Sequence, residues 1–323
     1  MSVASYPSSF GQFVSDNDAA RTQSEVTLAS LPGDSAACRK TVTFDHLAYT
    51  LERIANATVA DYPYPHLVIQ DVFEPRLYQC MLQELPKKNA GYKRLFPGVE
   101  RYEIALSRKV PDPKKAKKGK VAALPDPGPF WKSFSQVFGS RAITSAYLRK
   151  LHATVALRDP HIFSYQKRLY WNMALSRDMT GYAIGPHTDS RGKVVTVLYY
   201  LPKNNSAPKD AGTCVVRSKS GKTQLESSDE QSWEDPDFEI VRKADFTPNT
   251  VFVFSPCASS WHAVQRISQP FVRDTIQSFI QAPAGYKRKK NRCPAPRLVE
   301  REQAEPQQKM TEPLAGYQWP RTS

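Results

Sequence analysis

Apolar residues recur at helical spacing in three segments of the first half of the chain. In residues 44–60 they fall three or four positions apart, which places them on one face of a helix: Leu47, Leu51, Ile54 and Ala55. A second stripe of this kind consists of Leu77, Met81, Leu82 and Leu85. Residues 130–151 predict a further helical region with a break at Gly139–Ser140, where Ser140 is placed to cap the second piece.

Runs of apolar, β-branched and aromatic residues predict buried strands in the second half of the chain. One run extends from Lys193 to Leu201, and another covers Thr250 to Phe254. The segment from Trp261 to Ile267 is predicted to be extended, and a further strand is expected from Arg273 to Ile280. Helices followed by a series of strands are typical of an α+β fold.

Three residues in and beside these strands have the side chains of a metal site. Side chains at positions i and i+2 of a strand point to one face, so His187 and Asp189 can reach the same ion, and His262 would complete a triad. A His-x-Asp triplet arises often by chance, but here it stands directly before a buried strand. Two imidazoles and one carboxylate leave one side of the metal open, and non-haem Fe(II) oxygenases use this ligand set.

The strand predicted after His262 opens with a positive charge. Arg273 follows His262 by eleven residues, and Thr275, Gln277 and Phe279 share its face if the segment is a strand. A buried guanidinium without an anionic partner is very costly. A dicarboxylate co-substrate would supply that partner, held by both arms of the planar guanidinium.

The arrangement of His187, Asp189, His262 and Arg273 resembles the iron(II)- and 2-oxoglutarate-dependent dioxygenases, in particular their prolyl-hydroxylase-like branch. The resemblance covers residues 165–282, where residues 194–201 and 210–216 are similar to two strands of that branch. Residues 64–73, with the helix expected after them, look like the segment that leads into such domains. The fold that the resemblance implies is a double-stranded β-helix (jelly-roll, cupin-like) core flanked by helices.

The resemblance also implies roles for individual residues. His187, Asp189 and His262 would hold Fe(II), Arg273 would pair with the distal carboxylate of 2-oxoglutarate, and the Tyr200 hydroxyl would donate a hydrogen bond to the same carboxylate. The neighbouring Tyr199 would face the other way, because a shift of one residue exchanges the two faces. Dioxygen would bind at the remaining metal position, 2-oxoglutarate would be decarboxylated to succinate, and a C–H bond of the substrate would be hydroxylated. Since Asp189 supplies a carboxylate where related halogenases have a small residue, halogenation is disfavoured.

Four residues are candidates for the substrate side of the site: Arg177, Tyr182, Asn172 and Trp261. Gly181 is expected to permit the turn that leads into the strand of His187. A solvated position for Arg177 and a core position for Trp261 are the alternatives. The substrate class implied by the resemblance is a small molecule, such as an amino acid or a natural-product intermediate, or a protein side chain.

The 323 residues are enough for one sizeable domain with extensions. We predict a flexible N-terminal segment over 1–40 and a single dioxygenase domain over 41–283, divided into a helical flank (41–160) and a β-helix core (161–283). A basic, proline-rich extended tail is predicted over 284–323. The first forty residues show no signal peptide or membrane anchor, which indicates a protein without a membrane partner. The oligomeric state is left open.

The five cysteines show no paired short spacing, which argues against a zinc module and against a disulfide framework: Cys38, Cys80, Cys214, Cys257 and Cys293. They therefore predict a reducing compartment and a cytoplasmic location. Cys214 and Cys257 stand in strand-like contexts and are expected to be small core residues.

The formal charge of +14 is concentrated in two segments. Residues 108–120 carry a net +6, much of it in the lysine-rich loop 114–120, and the tail from residue 284 carries a net +5, which leaves +3 for the rest of the chain. A solvated loop, a lid and an anion-attracting rim are alternatives for the loop. A nucleic-acid-directed dioxygenase is a second hypothesis, but the repair dioxygenases carry a second arginine that residues 274–282 lack. A non-catalytic binding protein on a cupin-like fold is the third.

Overall fold

The computed structural model describes residues 38, 42–87, 91–95, 98–107, 126–208, 211–224, 229–283, 293 and 294. The α-helices are α1 (His46–Asn56), α2 (Pro75–Gln83), α3 (Pro129–Phe138), α4 (Arg141–Lys150) and α5 (His152–Arg158), and a 3₁₀ helix covers Ile162–Arg168. The strands are β1 (His66–Ile69), β2 (Lys93–Arg94), β3 (Arg101–Ala105), β4 (Tyr170–Asp178), β5 (Ile184–His187), β6 (Lys193–Tyr200), β7 (Thr213–Ser218), β8 (Phe238–Ala244), β9 (Thr250–Phe254), β10 (His262–Val264) and β11 (Arg273–Gln281).

The strands form two antiparallel sheets. The larger sheet has seven strands in the order β1-β9-β6-β11-β4-β3-β2, and the smaller has four in the order β5-β10-β7-β8. From β4 onward, the chain passes from one sheet to the other after every strand except β7, which is followed by its own neighbour β8. Consecutive strands therefore bring residues from both sheets to the space between them.

Each face of the larger sheet has its own apolar cluster. On the outer face, Val197 and Tyr199 of β6 pack with helix residues such as Phe134, Phe138 and Tyr147. On the inner face, residues of the larger sheet pack against the smaller one: Leu198, Tyr200, Phe252 and Phe254 against Val215 and Ala244. Because side chains alternate along a strand, one sequence supplies both clusters. The result is a mixed α+β fold in which helices cover one sheet, as the sequence predicted.

Most of the predicted elements are confirmed, with two differences near helix and strand ends. Ser140 stands at the N-terminal cap position of α4 as expected, but its hydroxyl makes no capping hydrogen bond. Strand β5 ends at His187, so Asp189 lies two residues beyond it and not within one continuous strand. Gly181 has a φ of 92°, the left-handed backbone that a turn before β5 requires.

The cysteines correct the expectation that the chain has no disulfides. Cys38 is bonded to Cys80 of α2, and Cys257 is bonded to Cys293, while the buried Cys214 takes part in neither disulfide. Cys257 is thus not a simple core residue. Disulfides persist in oxidising compartments, so they argue against the predicted reducing compartment, and the cytoplasmic location stays a prediction.

Within the described residues, no helix combines the length and the apolar character that crossing a membrane requires. The described part of the chain belongs to one compact unit that begins at Cys38. The predicted flexible segment before it, the lysine-rich loop 114–120 and the tail beyond residue 294 lie outside the described residues.

Candidate metal centre

Two neighbouring strands of the smaller sheet bring the predicted metal ligands together. His187 ends β5, His262 begins β10, and the two residues are direct partners in the antiparallel register. Their ring centroids are 4.2 Å apart. Asp189 follows β5 closely enough to reach the same place, and one ligand atom from each of the three residues lies within 4.8 Å of the others.

Backbone carbonyls fix the orientation of both imidazoles. The Nδ1 atom of His187 donates to the carbonyl of Gly185 at 2.9 Å, and that of His262 donates to the carbonyl of Ser260 at 3.1 Å. Because the proton is on Nδ1, each Nε2 presents a lone pair. The Nε2 atom of His262 lies 4.0 Å from Oδ2 of Asp189. Protein metal sites commonly hold their histidine ligands by hydrogen bonds of this kind.

Burial keeps the two imidazoles neutral and free to bind a cation. It lowers the pKa of His187 to about 3, and the neighbouring imidazole of His262 lowers it further, because two adjacent imidazoles disfavour protonation of either. Burial is also the largest effect on His262, and it lowers that pKa. For Asp189, burial alone would raise the pKa, but Lys193 and the two imidazoles lower it further than burial raises it. The site therefore offers two neutral nitrogen ligands and one carboxylate, which suits a divalent transition metal.

Two side chains of β6 hold the carboxylate of Asp189, and sequence reasoning missed both. Lys193 forms an ion pair with Oδ1, and the hydroxyl of Thr196 donates to Oδ2. The Lys193 ammonium also lies 3.8 Å from the centre of the Phe279 ring. Asp189 and Lys193 are only four positions apart in the sequence, which is a possible signal of an ion pair. The turn that leads into β6 is what brings their side chains together.

The predicted carboxylate anchor, Arg273, is buried on the inner face of the larger sheet and shares its partner. It donates to Oδ2 of Asp178 at 2.7 Å and to the carbonyl of Ala211 at 2.5 Å. Arg101 binds the same Asp178 through two hydrogen bonds of 2.6 and 2.9 Å. The charge of the half-buried Glu103 also acts on Arg101. Arg273 therefore shares its carboxylate partner, Asp178, with Arg101. A buried guanidinium that is only partly neutralised in this way suits a site that receives an additional anion.

The strand alternation places Tyr200 on the inner face and Tyr199 on the outer face, in the register that was predicted. The Tyr200 hydroxyl donates to Oγ1 of Thr213 at 2.7 Å, so an incoming carboxylate would compete with that bond. Thr275 is the partner of Tyr200 on β11, and its buried hydroxyl has no hydrogen-bond partner among the described residues. Together with the shared carboxylate of Arg273, this hydroxyl makes the region suitable for an anion.

The four candidate substrate residues lie in different places. Arg177 is neither solvated nor open, because it makes a bidentate ion pair with Asp274 at 2.7 and 2.9 Å. Tyr182 is buried with the guanidinium of Arg101 4.3 Å from its ring centre. Trp261 packs with Phe238 in a cluster on the far side of the smaller sheet. This is the core position that was the alternative to a place in the substrate site.

Asn172 is the candidate on the inner face. It is half-buried and pairs in register with Phe279, the residue on which Lys193 lies. The inner residues of β11 become less buried toward this end: Arg273 and Thr275 are buried, whereas Gln277 and Phe279 are half-buried. This end of the inner face is therefore the more open one.

Comparison with known proteins gives structural neighbours only. No family model matches the chain, and no curated protein matches it. The solved structures it resembles include a prolyl-4-hydroxylase from Pseudomonas putida, with 12% identity, a TM-score of 0.38, and coverage of 73% of this chain and 100% of that one. A 2OG-Fe(II) oxygenase family oxidoreductase from Burkholderia pseudomallei has 15% identity, a TM-score of 0.39, and coverage of 77% and 94%.

A third neighbour is a Trichoplax adhaerens prolyl hydroxylase in complex with a peptide fragment of the hypoxia inducible factor oxygen degradation domain. It has 11% identity and a TM-score of 0.43, and the match covers 75% of this chain and 94% of that one. All three TM-scores are below 0.5, and the proposed function rests on the site itself.

Proposed function

We propose that the chain is an Fe(II)- and 2-oxoglutarate-dependent dioxygenase that hydroxylates a C–H bond of a small molecule or a peptidyl side chain. The observation that carries this proposal is the cluster of His187, Asp189 and His262. All three are buried, both imidazoles are neutral, and their ligand atoms converge within 4.8 Å. A facial arrangement of two histidines and one carboxylate with open positions is the ligand set of non-haem Fe(II) oxygenases.

The strand order supports a double-stranded β-helix as the scaffold of this site. Eight strands, β4 to β11, divide evenly between the two sheets, with β4, β6, β9 and β11 in one and β5, β7, β8 and β10 in the other. A jelly roll is built from eight antiparallel strands in two facing sheets. In such a scaffold, the space between the sheets is closed on two sides and holds a site away from bulk water.

When bound, Fe(II), 2-oxoglutarate and dioxygen supply the oxidant for hydroxylation, with release of succinate and carbon dioxide. The side chains of the protein bind and orient these groups and exclude water from them. His187, His262 and Asp189 would hold the metal. Arg273 would hold the distal carboxylate of the co-substrate, with Tyr200 as hydrogen-bond donor. Phe254, whose ring lies 4.7 Å from that of His262, keeps one side of the metal centre apolar.

The substrate is expected to approach from the open end of the inner face. Asn172 and Phe279 lie there, and Lys193 connects Phe279 to the metal ligand Asp189. Of the four candidate substrate residues, Asn172 is therefore the one we retain. A polar amide beside an aromatic ring can position a small polar molecule or a peptide, and it does not select between them.

The proposal is tested by metal binding and succinate formation. The wild-type protein is expected to bind one equivalent of Fe(II), and to convert 2-oxoglutarate to succinate only when the metal is present. His187→Ala should abolish both properties. His152→Ala is the matched control, since His152 stacks on Phe163 in the helical layer and should leave both unchanged. A wild-type protein that binds no metal, or a His187→Ala variant with unchanged succinate formation, contradicts the proposal.

A further inference from the structure

Tyr64 is a buried tyrosine of the inner cluster, and it is not among the residues that would hold the metal or the distal carboxylate. Tyr64 lies just before β1, and its side chain is 0% exposed. It belongs to the inner cluster together with Tyr200 and Phe254. Its hydroxyl has no hydrogen-bond partner among the described residues. A buried polar group without a partner is unfavourable, so a fold that keeps one commonly has a use for it.

Other buried tyrosines show how such hydroxyls are normally satisfied. Tyr78 donates to the carbonyl of Pro202 at 2.7 Å, and the hydroxyls of Tyr147 and Tyr199 are hydrogen-bonded to each other at 3.2 Å. Tyr200 donates to Thr213. Tyr64 is fully buried like these residues, but its donor is left free for a ligand.

The surroundings of Tyr64 place its ring one aromatic side chain away from the metal ligand His262. Its ring lies 5.7 Å from that of Phe254, and Phe254 lies 4.7 Å from His262. Burial is the largest effect on Tyr64 and raises its pKa well above the usual value, and the negative charge of Asp189 is the next largest effect. The hydroxyl therefore stays protonated, as a donor, within the electrostatic reach of a metal ligand.

The backbone around Tyr64 holds the ring in place before any ligand arrives. Proline at position 65 restricts Tyr64 to extended conformations. His66 then begins β1 and pairs with Phe254 of β9. A donor fixed in this way loses little conformational entropy when it forms a hydrogen bond, which favours binding.

We propose that the Tyr64 hydroxyl donates a hydrogen bond to the metal-binding 2-oxo acid end of the co-substrate, separately from Arg273 and Tyr200 at the distal end. This inference rests on the proposed function and adds to it a residue from outside the predicted β-helix core. Because an ionised acceptor makes a strong hydrogen bond, loss of the donor should weaken co-substrate binding measurably.

The test compares Tyr64→Phe with the wild-type protein, both loaded with Ni(II), by calorimetric titration with 2-oxoglutarate. The variant is expected to bind about 10-fold to 100-fold more weakly. The metal-free variant should be as stable as the wild type or more so, because the change removes an unpaired buried hydroxyl. Tyr78→Phe is the control: its hydroxyl is paired with Pro202, so it should lose stability and keep its affinity for 2-oxoglutarate.

A second titration with 2-oxobutyrate, which lacks the distal carboxylate, locates the contact. The Tyr64→Phe penalty should persist with 2-oxobutyrate, because the proposed bond is at the 2-oxo acid end. A penalty that disappears places the contact elsewhere and overturns the inference. Equal affinity of Tyr64→Phe and wild type for 2-oxoglutarate also overturns it, while leaving the proposed function intact. A wild-type protein that binds Ni(II) but no 2-oxoglutarate overturns both.

Discussion

Asp178 is expected to be the most sensitive charged residue of the described fold outside the metal ligands. Its carboxylate is fully buried and accepts hydrogen bonds from two guanidiniums, those of Arg101 and Arg273. Arg273 is 1% exposed and Arg101 9% exposed. The two guanidiniums come from different strands of the larger sheet, Arg101 from β3 and Arg273 from β11, and water screens their pairing with Asp178 only weakly.

The substitution Asp178→Asn keeps the size of the side chain and removes its charge. Removing one partner of a buried ion pair costs about 3–5 kcal/mol, because a charge is left buried without compensation. Here two guanidiniums lose their shared carboxylate, so we expect the upper part of that range. With a urea m-value of about 2–3 kcal/mol/M for a chain of this size, a loss of about 4–5 kcal/mol should lower the unfolding midpoint by roughly 1.3–2.5 M.

Urea unfolding followed by tryptophan fluorescence, without reductant, measures this loss. Asp126→Asn is the matched control, because Asp126 pairs with Lys132 at 2.7 Å while their side chains are 67% and 54% exposed. Water already screens that pair, so its loss should shift the midpoint little. If Asp178→Asn shifts the midpoint no more than Asp126→Asn does, the two guanidiniums are not held by Asp178, and the reasoning is refuted.

Three further predictions concern pH, cysteines and a glycine. Burial raises the pKa of Asp274 more than Arg177 lowers it, so the folded state holds the proton more tightly and stability should fall as pH rises above the ordinary carboxyl pKa. The urea midpoint of Asp274→Asn should therefore fall less steeply with rising pH than that of the wild type. Identical pH profiles of the two proteins would contradict this. Under denaturing conditions without reductant, mass spectrometry should find one of the five cysteines alkylated, and reduction should cost about 4 kcal/mol for each disulfide at separations of 42 and 36 residues. Finally, a Cβ at Gly185 would clash with the Gln231 carbonyl, so Gly185→Ala should weaken Ni(II) binding in calorimetry by about 10-fold to 100-fold. Gly192→Ala, whose nearest neighbouring atom is 4.0 Å away, should not.

The parts of the site that could be predicted from the sequence are those that follow from local periodicity. Alternation along β6 predicts that Tyr200 faces inward and Tyr199 outward. Alternation along β11 predicts which of its residues lie on the same face as Arg273. The two histidines stand beside strongly apolar strands, and this context distinguished them from isolated histidines. The places of these residues needed no knowledge of their distant partners.

The remaining contacts join segments that are far apart in the chain, and no local pattern reports them. Asp178 and Arg273 are 95 residues apart, and only the pairing of β4 with β11 makes them partners. The disulfide between Cys38 and Cys80 closes 42 residues, so short-spacing rules for cysteines did not find it. The sequence places Tyr64 only in the segment that leads into the domain. That its hydroxyl lacks a hydrogen-bond partner among the described residues follows from the packing of the whole fold, which no local pattern predicts. Strand β8 was missed because its mixed, partly exposed residues give no buried-strand pattern.

The electrostatics of Asp189 explain how a buried carboxylate is kept ionised and oriented at this site. A carboxylate that is buried without a positive partner is strongly destabilising. Lys193 supplies that partner, and Thr196 adds a hydrogen bond. Both residues belong to β6, whose position is fixed by its neighbours β9 and β11, so the carboxylate is held toward the two imidazoles by the main sheet. A divalent cation would then meet a carboxylate that is already ionised and oriented. The imidazoles need lose no proton to bind it, because burial keeps both neutral and the backbone carbonyls hold the remaining proton on Nδ1. The larger sheet thus contributes to the metal centre without providing a ligand, and changes in β6 should affect metal affinity as directly as changes beside the histidines do.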